Sequence, residues 1–343
     1  MKNSTIRDIA REAGVGVATV DRVLNRRAPV RQETAGKVLA AAQRLGYRFA
    51  PADAAVVAPA ECAAKIKMGF ILLPGDYSFY GSFCDQLRRQ AAPWHDDDHP
   101  PEFCFHAIDA IEETAAKIRD LATRVEVIGL VALDNALIRH AVAEVTRKGV
   151  KVFALLSDLS PCGHSGYIGL DNRKAGRTAA WAVEKLGHNV GEIGIIIGDN
   201  QFSCQETCEI SFRSYLRERA LDYQVLEPIR SRENIDCGYQ ATRKLLLAHP
   251  DLTVIYAPCG GIEGVVAALQ ESGRQQAITM VCHGPFHQHP LALINGEIDL
   301  IINHRLAELS AQVIDAFRQS VLQPAHGFIH LNSAFELLTP ENC

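Results

Sequence analysis

From residue 66 onward the sequence alternates between short apolar runs and longer amphipathic stretches, and this alternation restricts the possible folds more than any other feature. The runs are rich in branched aliphatic residues, as buried strands are, and the stretches repeat apolar residues with the period of a helix. Strands that alternate with helices predict an α/β fold of parallel sheets covered by helices, with enough units for two lobes. Strands are predicted at 68–73, 125–133, 152–156, 193–197, 253–257 and 278–281, and helices at 109–123, 135–148, 173–186, 205–220, 236–248 and 261–273.

The composition is that of a globular protein of two or three domains. The chain has 343 residues, of which 48% are hydrophobic and 22% are charged, so it is too apolar to be mostly disordered. Its apolar runs are far shorter than the roughly 20 residues that span a bilayer, and its first residues contain no apolar signal segment. We therefore expect a cytoplasmic protein without a membrane partner, whose ten cysteines are reduced thiols.

Charge is distributed unevenly along the chain. Residues 1–48 contain ten Lys and Arg against four Asp and Glu, a balance of +6, while the remainder has a balance of −11. A short basic segment ahead of a long acidic one predicts a head that binds a polyanion and a body that the polyanion repels. Chance clustering of surface charge is the alternative.

The basic segment has the pattern of three short helices. In the first, at 5–14, apolar residues recur on one helical face, and Gly14 is suited to end the helix. A short turn leads to a second helix at 17–25, and Pro29 separates it from a third at 32–45. Two short helices joined by a glycine-containing turn predict a helix-turn-helix, so we expect a small all-α head that reads DNA.

The residues of this head carry a specific resemblance. They read T-I-x-D-I-A-x-x-A-G-V-x-V-A-T-V-x-R-V-L-N at 5–25 and E-T-x-x-K-V-L-x-A-A-x-x-L-G-Y-R at 33–48. This pattern closely resembles, over about 48 residues without a gap, the head of the lactose-repressor (LacI/GalR) family of transcriptional regulators. The resemblance implies a sequence-specific DNA-binding regulator, and we expect a repressor.

The family resemblance also implies roles for individual residues. Val17, Ala18 and Arg22 lie where the recognition helix faces base edges, and the planar fork of an arginine can bind guanine O6 and N7 together. A solvated surface arginine is the alternative for Arg22. The residues expected on phosphates, which set register without reading sequence, are Thr5, Thr19, Asn25 and Tyr47, with Arg26, Arg27 and Arg31 as additional anchors.

Residues 49–64 form a linker in which Pro51 and Pro59 frame an alanine- and valine-rich stretch. In the family that it resembles, a hinge helix here wedges an apolar side chain into the minor groove. Val56 is at the expected wedge position, but no basic residue lies between Arg48 and Lys65. The linker is therefore either a hinge helix with a shallow wedge or a simple tether.

The remainder, 65–343, resembles the periplasmic-binding-protein-like effector domain of the same family, through K-M-G-F-I-L-L, G-Y-I-G-L-D-N-R-K-A-G-R-T-A-A and A-L-I-N-G-E-I-D-L-I-I. That likeness implies two lobes joined by three crossings, with a small ligand, usually a sugar, in the cleft between them. The cleft lies beyond the carboxyl ends of the strands. The domains are thus predicted as a head at 1–48, a linker at 49–64 and a two-lobed body at 65–343.

Polar residues that follow the predicted strands are the candidates for the effector site. Carboxylates suit a polyol because each can accept two hydroxyl groups, and a tyrosine can cover an apolar sugar face. For any one of them, a solvated loop residue is the alternative, and Asp171 could instead order the crossover or an interface. The candidates are Asp76, Tyr80, Asp134, Ser157, Asp158, Asp171, Glu206 and His283.

Two departures from the family limit the sugar assignment. Cys208 lies near the place where many relatives carry a ligand-binding arginine, and Cys282-His283 occurs where an aspartate is usual. We therefore expect a sugar or sugar derivative that differs from the common hexoses.

The sequence gives only weak support for a metal site, a nucleotide site, a solute-uptake function or an enzyme. The spacing of Cys282, His283, His287 and His289 matches no ordinary zinc site, and 95–99 is a solvated acidic loop, so no metal is predicted. The glycines at 260–264 lack the full dinucleotide pattern, so neither a cofactor nor a catalytic residue is expected. A solute-uptake binding protein is opposed by the missing signal peptide and the DNA head. A nucleotide-dependent enzyme would reveal itself by turnover or by a bound cofactor.

One three-helix head contacts too little DNA for tight selective binding. Family operators are near-palindromes, so a two-fold homodimer held through the bodies would place two heads on two half-sites. A tetramer built from such dimers is the larger alternative. The predicted partners are therefore an operator in double-stranded DNA, a small-molecule effector and a second copy of the chain.

Substitutions in the head separate base reading from phosphate contact. Arg22→Ala should cost about 1–3 kcal/mol at one operator position and relax specificity there. Arg27→Ala should weaken binding to all sequences alike and reduce its salt dependence. Binding to an operator library at several salt concentrations measures both effects. An unchanged sequence preference in Arg22→Ala would contradict its assignment to the recognition helix.

Overall fold

A computed structural model describes residues 6–24, 34, 37, 38, 41, 64–75, 77–187, 191–323 and 327–343. The chain divides into two compact units, 1–62 and 63–343, and each is described by itself. Most of the predicted linker at 49–64 lies outside the described residues, so its two alternative forms stay open.

The first unit begins with the two predicted helices. Helix α1 (Ile6–Ala13) ends at Gly14, whose φ of +65° is the left-handed conformation that a glycine adopts freely. Helix α2 (Val17–Leu24) follows after a short turn. The small core joins both helices to helical residues of the predicted third helix, and it contains Ile9, Ala10, Val20, Val38 and Ala41. The helix-turn-helix prediction is confirmed.

The second unit contains two sheets, and the first is a parallel sheet of six strands. The strands are β1 (Met68–Leu72), β2 (Glu102–Phe105), β3 (Val127–Leu130), β4 (Lys151–Leu155), β5 (Gly166–Leu170) and β12 (Ile329–Ser333). Their order in the sheet is β2-β1-β3-β4-β5-β12. The apolar residues form one core cluster on each face, so helices cover both sides. The covering helices are α3 (Ser78–Ala91), α4 (Ile111–Leu121), α5 (Ala136–Arg147) and α11 (Leu306–Leu322), with a short 3₁₀ turn at Ala92–Trp94.

The second sheet has seven strands and follows the same plan. The strands are β6 (Glu192–Ile197), β7 (Gln224–Val225), β8 (Ile229–Arg230), β9 (Leu252–Ala257), β10 (Thr279–Gly284), β11 (Leu300–His304) and β13 (Phe335–Leu338). Their order is β7-β6-β9-β10-β11-β13, with β8 also paired to β6, and only the last strand, β13, is antiparallel. The helices are α6 (Asn172–Leu186), α7 (Ser203–Glu218), α8 (Ile235–Ala248), α9 (Ile262–Ser272) and α10 (His289–Ile294).

Three short connections join the two sheets. They lie at Asp171 between β5 and α6, at Arg305 between β11 and α11, and at Ala334 between β12 and β13. Each sheet with its helices is therefore one lobe, and the predicted two-lobed α/β body with three crossings is confirmed. Within the described residues, no helix is both long and apolar enough to cross a membrane.

The strands that sequence reasoning missed are mostly edge or near-edge strands. β2 is only half-buried along its length, and β12 alternates half-buried and exposed residues before it reaches Ser333. Such strands lack the continuous apolar run that marks a central parallel strand. β5 was missed for a different reason, because its two glycines interrupt an otherwise buried run.

Candidate functional site

In the head, the exposed start of α2 is the part of the predicted DNA-contacting surface that the structure describes. Val17 is 46% exposed, and Thr19 is half-buried one position after Ala18. Arg22 belongs to α2, but its side chain and that of Ala18 are outside the description. The remaining predicted contacts lie outside the described residues and stay predictions: Thr5, Asn25, Arg26, Arg27, Tyr47 and Val56.

In the body, a cavity lies between the two lobes, where the loops after the parallel strands meet. One wall is the start of α3, at 77–80, which follows β1 of the first lobe. The other wall comes from the second lobe, from the turn at 258–263 after β9 and the end of β10 at 283–286. Asn172 and His304, which flank two of the crossings, also line the cavity. The carboxyl ends of parallel strands are the usual ligand site of an open α/β sheet.

Aromatic side chains line the wall from the first lobe. Tyr77, Phe79 and Tyr80 contribute to the lining, and Phe79 packs edge-on against His304, with 5.2 Å between ring centroids. The turn before α3 is tight, because a Cβ added at Gly81 would lie 2.6 Å from the carbonyl oxygen of Gly75. Burial raises the pKa of Tyr80 far above its usual value, so its hydroxyl stays neutral.

A buried carboxyl group, Glu233, lines the wall from the second lobe. It is 7% exposed, and its oxygens accept hydrogen bonds from Gln205 Nε2 at 2.8 Å and from the backbone N–H of Gly260 at 2.9 Å. Arg232 and Glu233 both adopt the left-handed backbone conformation, with φ of +54° and +58°. Side-chain-bearing residues rarely adopt this conformation, and such strain concentrates at functional sites.

Two histidines complete the polar lining. Tyr256 Oη and His283 Nε2 are 3.1 Å apart, and His304 Nδ1 is buried with no hydrogen-bond partner in the described structure. Burial lowers the pKa of His283 to about 3, helped by the nearby His304, and it lowers the pKa of His304 to about 4. Both imidazoles are therefore neutral near pH 7, and each can donate or accept a hydrogen bond.

Direct contacts across the cleft hold the lobes together. Ser78 Oγ of the first lobe donates to Glu263 Oε1 of the second at 2.7 Å, and the backbone N–H of His287 donates to the same oxygen. The backbone N–H of Asp134 donates to the carbonyl oxygen of Gln201 at 2.9 Å. The structure thus has the cleft in a closed form.

Of the predicted effector residues, Tyr80 and His283 line the cavity. The lining does not include Asp134, whose carboxylate pairs with Arg139 at 2.6 Å and accepts from Ser160 Oγ. Asp171 caps the first turn of α6 by accepting from the backbone N–H of Lys174, which fits the alternative of ordering the crossover.

Ser157, Asp158 and Glu206 are also absent from the lining. Ser157 Oγ contacts Ser203 Oγ across the lobes at 3.2 Å, and Glu206 is exposed on α7. The side chain of Asp158 contacts that of His164, six residues later, with 3.1 Å between Asp158 Oδ1 and His164 Nε2. Position at a strand end did not place these side chains in the cavity, because closer partners hold Ser157 and Asp158 and because Glu206 faces solvent. Asp76 lies outside the described residues.

Sequence reasoning missed Glu233, His304 and Glu263 on the cavity wall. The only signal for Glu233 was a polar stretch, S-R-E-N at 231–234, just before a predicted helix. No group of three His, Cys, Asp or Glu side chains in the described parts of the chain is arranged to hold a metal ion.

Two family models match the chain. The model described as periplasmic binding protein domain matches residues 83–321, and the model described as bacterial regulatory proteins, lacI family, matches residues 5–49. Curated relatives include the HTH-type transcriptional regulator DegA of Bacillus subtilis, 23% identical over 71% of this chain and 69% of that protein. They also include GalS of Salmonella typhimurium, 26% identical over 78% and 76%.

Solved structures share the fold of the body. One is a solute binding protein of an ABC transporter from Agrobacterium vitis with bound D-fucose, with a TM-score of 0.73, 17% identity and coverage of 80% of this chain and 96% of that one. Another is GanP, a glucose-galactose binding protein from Geobacillus stearothermophilus, with a TM-score of 0.71, 18% identity and coverage of 81% and 99%.

The pair of Asp158 and His164 makes the stability of the body depend on pH. Burial disfavours charge on His164, but hydrogen bonds with Asp158 and Cys162 outweigh it and raise its pKa from 6.5 to about 9. The stabilisation is therefore complete below about pH 6.5 and is lost as the pH rises through about 9. Asp158→Asn should remove most of this fall in the free energy of unfolding, measured by urea denaturation from pH 6 to 9.5.

The matched control is Asp85→Asn, because Asp85 forms an exposed ion pair with Arg88. It should retain the wild-type dependence on pH, since exposed pairs contribute little. Equal pH dependence in wild type and Asp158→Asn would contradict a charged His164.

Proposed function

The chain belongs to the lacI family of bacterial regulatory proteins and carries a periplasmic binding protein domain behind its DNA-binding head, and we propose that it is a repressor released from its operator by a sugar or sugar derivative. The observation that supports this proposal most strongly is that one chain contains both a helix-turn-helix head and a closed cavity between two lobes. No catalytic step is assigned to it. Because its DNA partner is the bacterial chromosome, the proposal places the protein in the cytoplasm.

The lining of the cavity supports a small polar ligand with an apolar face. The rings of Tyr80 and Phe79 can cover the C–H face of a sugar, and neutral His283 and His304 can exchange hydrogen bonds with hydroxyl groups. Proteins of the same fold have been solved with D-fucose and D-arabinose bound. These neighbours support a monosaccharide-sized effector.

The predicted residues outside the lining suit a role in lobe closure. Asp134 and Ser157 take part in the contacts between lobes, through the backbone N–H of Asp134 and the hydroxyl of Ser157. Ser203 Oγ donates to the carbonyl oxygen of Asp158 at 2.7 Å, and Asp171 lies at a crossing. We assign them to positioning the lobes, and Glu206 remains a candidate at the exposed rim.

Removing one hydroxyl group from the cavity should weaken effector binding without changing operator binding. Tyr80→Phe keeps the ring but deletes the hydroxyl group, so the affinity for a sugar should fall by about 3- to 10-fold, as for one lost hydrogen bond. Operator affinity without ligand should be unchanged, because the head is a separate unit. Calorimetry with a sugar and polyol panel, together with an operator-release assay, measures both quantities.

Tyr239→Phe is the matched control, because the hydroxyl of Tyr239 bonds to Glu271 and lies outside the cavity lining. It should respond to ligand as the wild type does. Full ligand response in Tyr80→Phe would remove Tyr80 from the site. A panel without a single binder would contradict the sugar effector.

The proposal includes a homodimer on a near-palindromic operator. Two heads of charge +6 bind two half-sites while the acidic bodies are repelled from the phosphates. Sedimentation at micromolar protein concentration should show two chains per operator, and halving the operator to one half-site should reduce affinity by orders of magnitude. A monomer that binds the full operator one to one would contradict it.

A further inference from the structure

The described lining of the cavity between the lobes includes two carboxyl groups and no cationic side chain. Among the described residues that line it, Glu233 and Glu263 are acidic, and neither a lysine nor an arginine is present. The two lining histidines are neutral because burial lowers their pKa values. An anionic ligand, such as a sugar phosphate or an acidic sugar, would therefore find no cationic partner among the described lining residues and would be repelled by an ionised carboxyl group.

Glu233 has donors for its two oxygens but no counter-ion. Its hydrogen bonds come from the amide of Gln205 and the backbone of Gly260, and both donors are neutral. No cationic group within the described residues contributes to its environment. Each carboxylate oxygen has a further lone pair, so the group can accept from a ligand as well. A buried carboxylate without a cation is costly, unless it is protonated or a ligand supplies the charge.

The fold makes specific room for this carboxyl group. A Cβ added at Gly260 would lie 2.7 Å from Glu233 Oε2, and one added at Gly198 would come closer still to Oε1. The left-handed backbone at Arg232 and Glu233 turns the side chain into that space. The position of the Glu233 carboxyl group is thus fixed both by the space that the two glycines leave and by the strained backbone of residues 232 and 233.

Aromatic rings line the same cavity. Tyr77, Phe79 and Tyr80 line it from the first lobe, and Phe286 lines it from the second. Ring faces attract organic cations, most strongly where water is excluded. A cation that pairs with Glu233 would therefore also find favourable contacts on the opposite wall.

We propose that the effector carries an amine, bound as its ammonium ion by the carboxylate of Glu233 in the aromatic cleft. This inference rests on the proposed function, and within the sugar class it selects an amino sugar over its neutral parent. The ammonium group donates to the free lone pairs of Glu233, while the sugar ring packs against the aromatic wall. Binding requires Glu233 to be ionised, so any proton on it is released when the ligand binds.

This coupling gives the affinity a definite dependence on pH. Burial raises the pKa of Glu233, so the carboxyl group is protonated over a wider range than an exposed one. Below that pKa, affinity for the ammonium ligand falls by about tenfold per pH unit, and above it the affinity is constant until the ligand amine itself deprotonates.

Other groups around Glu233 titrate outside the relevant range. Burial raises the pKa of Cys204 to about 12, and it raises those of Tyr80 and Cys259 well above their usual values. His283 and His304 titrate at about 3 and 4. Glu263, the other lining carboxyl, accepts from Ser78 Oγ and the backbone of His287. A Glu263→Gln variant therefore tests whether the pH dependence of binding comes from Glu233.

The test uses matched ligands and matched variants of the full chain. Calorimetry compares D-glucosamine with D-glucose and D-galactosamine with D-galactose, together with their N-acetyl forms, putrescine and choline, at pH 5 to 8. The proteins are wild type, Glu233→Gln, Glu263→Gln and, as the control, Glu227→Gln, whose substituted carboxyl group is exposed and outside the cavity lining. Operator binding and thermal unfolding show that each variant is folded. If Glu233→Gln does not fold, the pH dependence of amino-sugar binding in the wild type tests the role of Glu233 instead.

The expected result is that an amino sugar binds about 100-fold more tightly than its neutral parent and its N-acetyl form. That preference should be lost in Glu233→Gln and kept in Glu227→Gln. Wild-type affinity for the amino sugar should rise with pH below the pKa of Glu233 and stay constant above it until the ligand amine deprotonates. Neutral sugars that bind as well as amines, in wild type and in Glu233→Gln alike, would overturn the inference and leave the proposed function intact. Binding of only putrescine through Glu233 would support the amine and contradict the sugar. Binding of only choline, which has no N–H, would contradict an ammonium group that donates hydrogen bonds to Glu233. No binding by any probe would overturn both.

Discussion

The direction of the strands determines where this molecule can bind a ligand. Both sheets are parallel except for one terminal strand, so the loops that follow the strands gather at one edge of each sheet. Three short crossings turn those two edges toward each other. Most groups on the cavity wall, including Tyr80 and Glu233, come from the loops, strand ends and helix starts at that shared edge. The cavity exists because the lobes are closed, and closure depends on a few hydrogen bonds such as Ser78 to Glu263.

The architecture could be predicted because it depends on periodic patterns, whereas much of the site could not. Buried central strands and amphipathic helices leave a repeating signal along the sequence, and so do the two helices of the head. Tyr80 and His283 were found because each follows a recognisable strand. Glu233 was missed because its place depends on left-handed backbone at two residues that are not glycine, and on space left by Gly198 and Gly260 far away in the sequence.

The same comparison explains why carboxylates at strand ends were poor guides. Asp134 and Asp158 occur where a ligand-binding residue was expected, but Arg139 and His164 are close enough to bind them. A side chain at the rim of a cleft can bond to any partner that the loop conformation places nearby. The sequence pattern does not show which partner that is. The two positions that depart from the family, Cys208 and His283, were better guides, because both line the cavity.

The central claim is that the cavity in the body controls the head, and reciprocity tests it directly. If an effector weakens operator binding by some factor, the operator must weaken effector binding by the same factor. The measurement is the operator affinity with and without saturating effector, and the effector affinity with and without saturating operator, using the tightest ligand that the cleft binds. Two equal factors, each well above one, are the predicted result. A ligand that binds in the cleft and leaves operator affinity unchanged would contradict the claim.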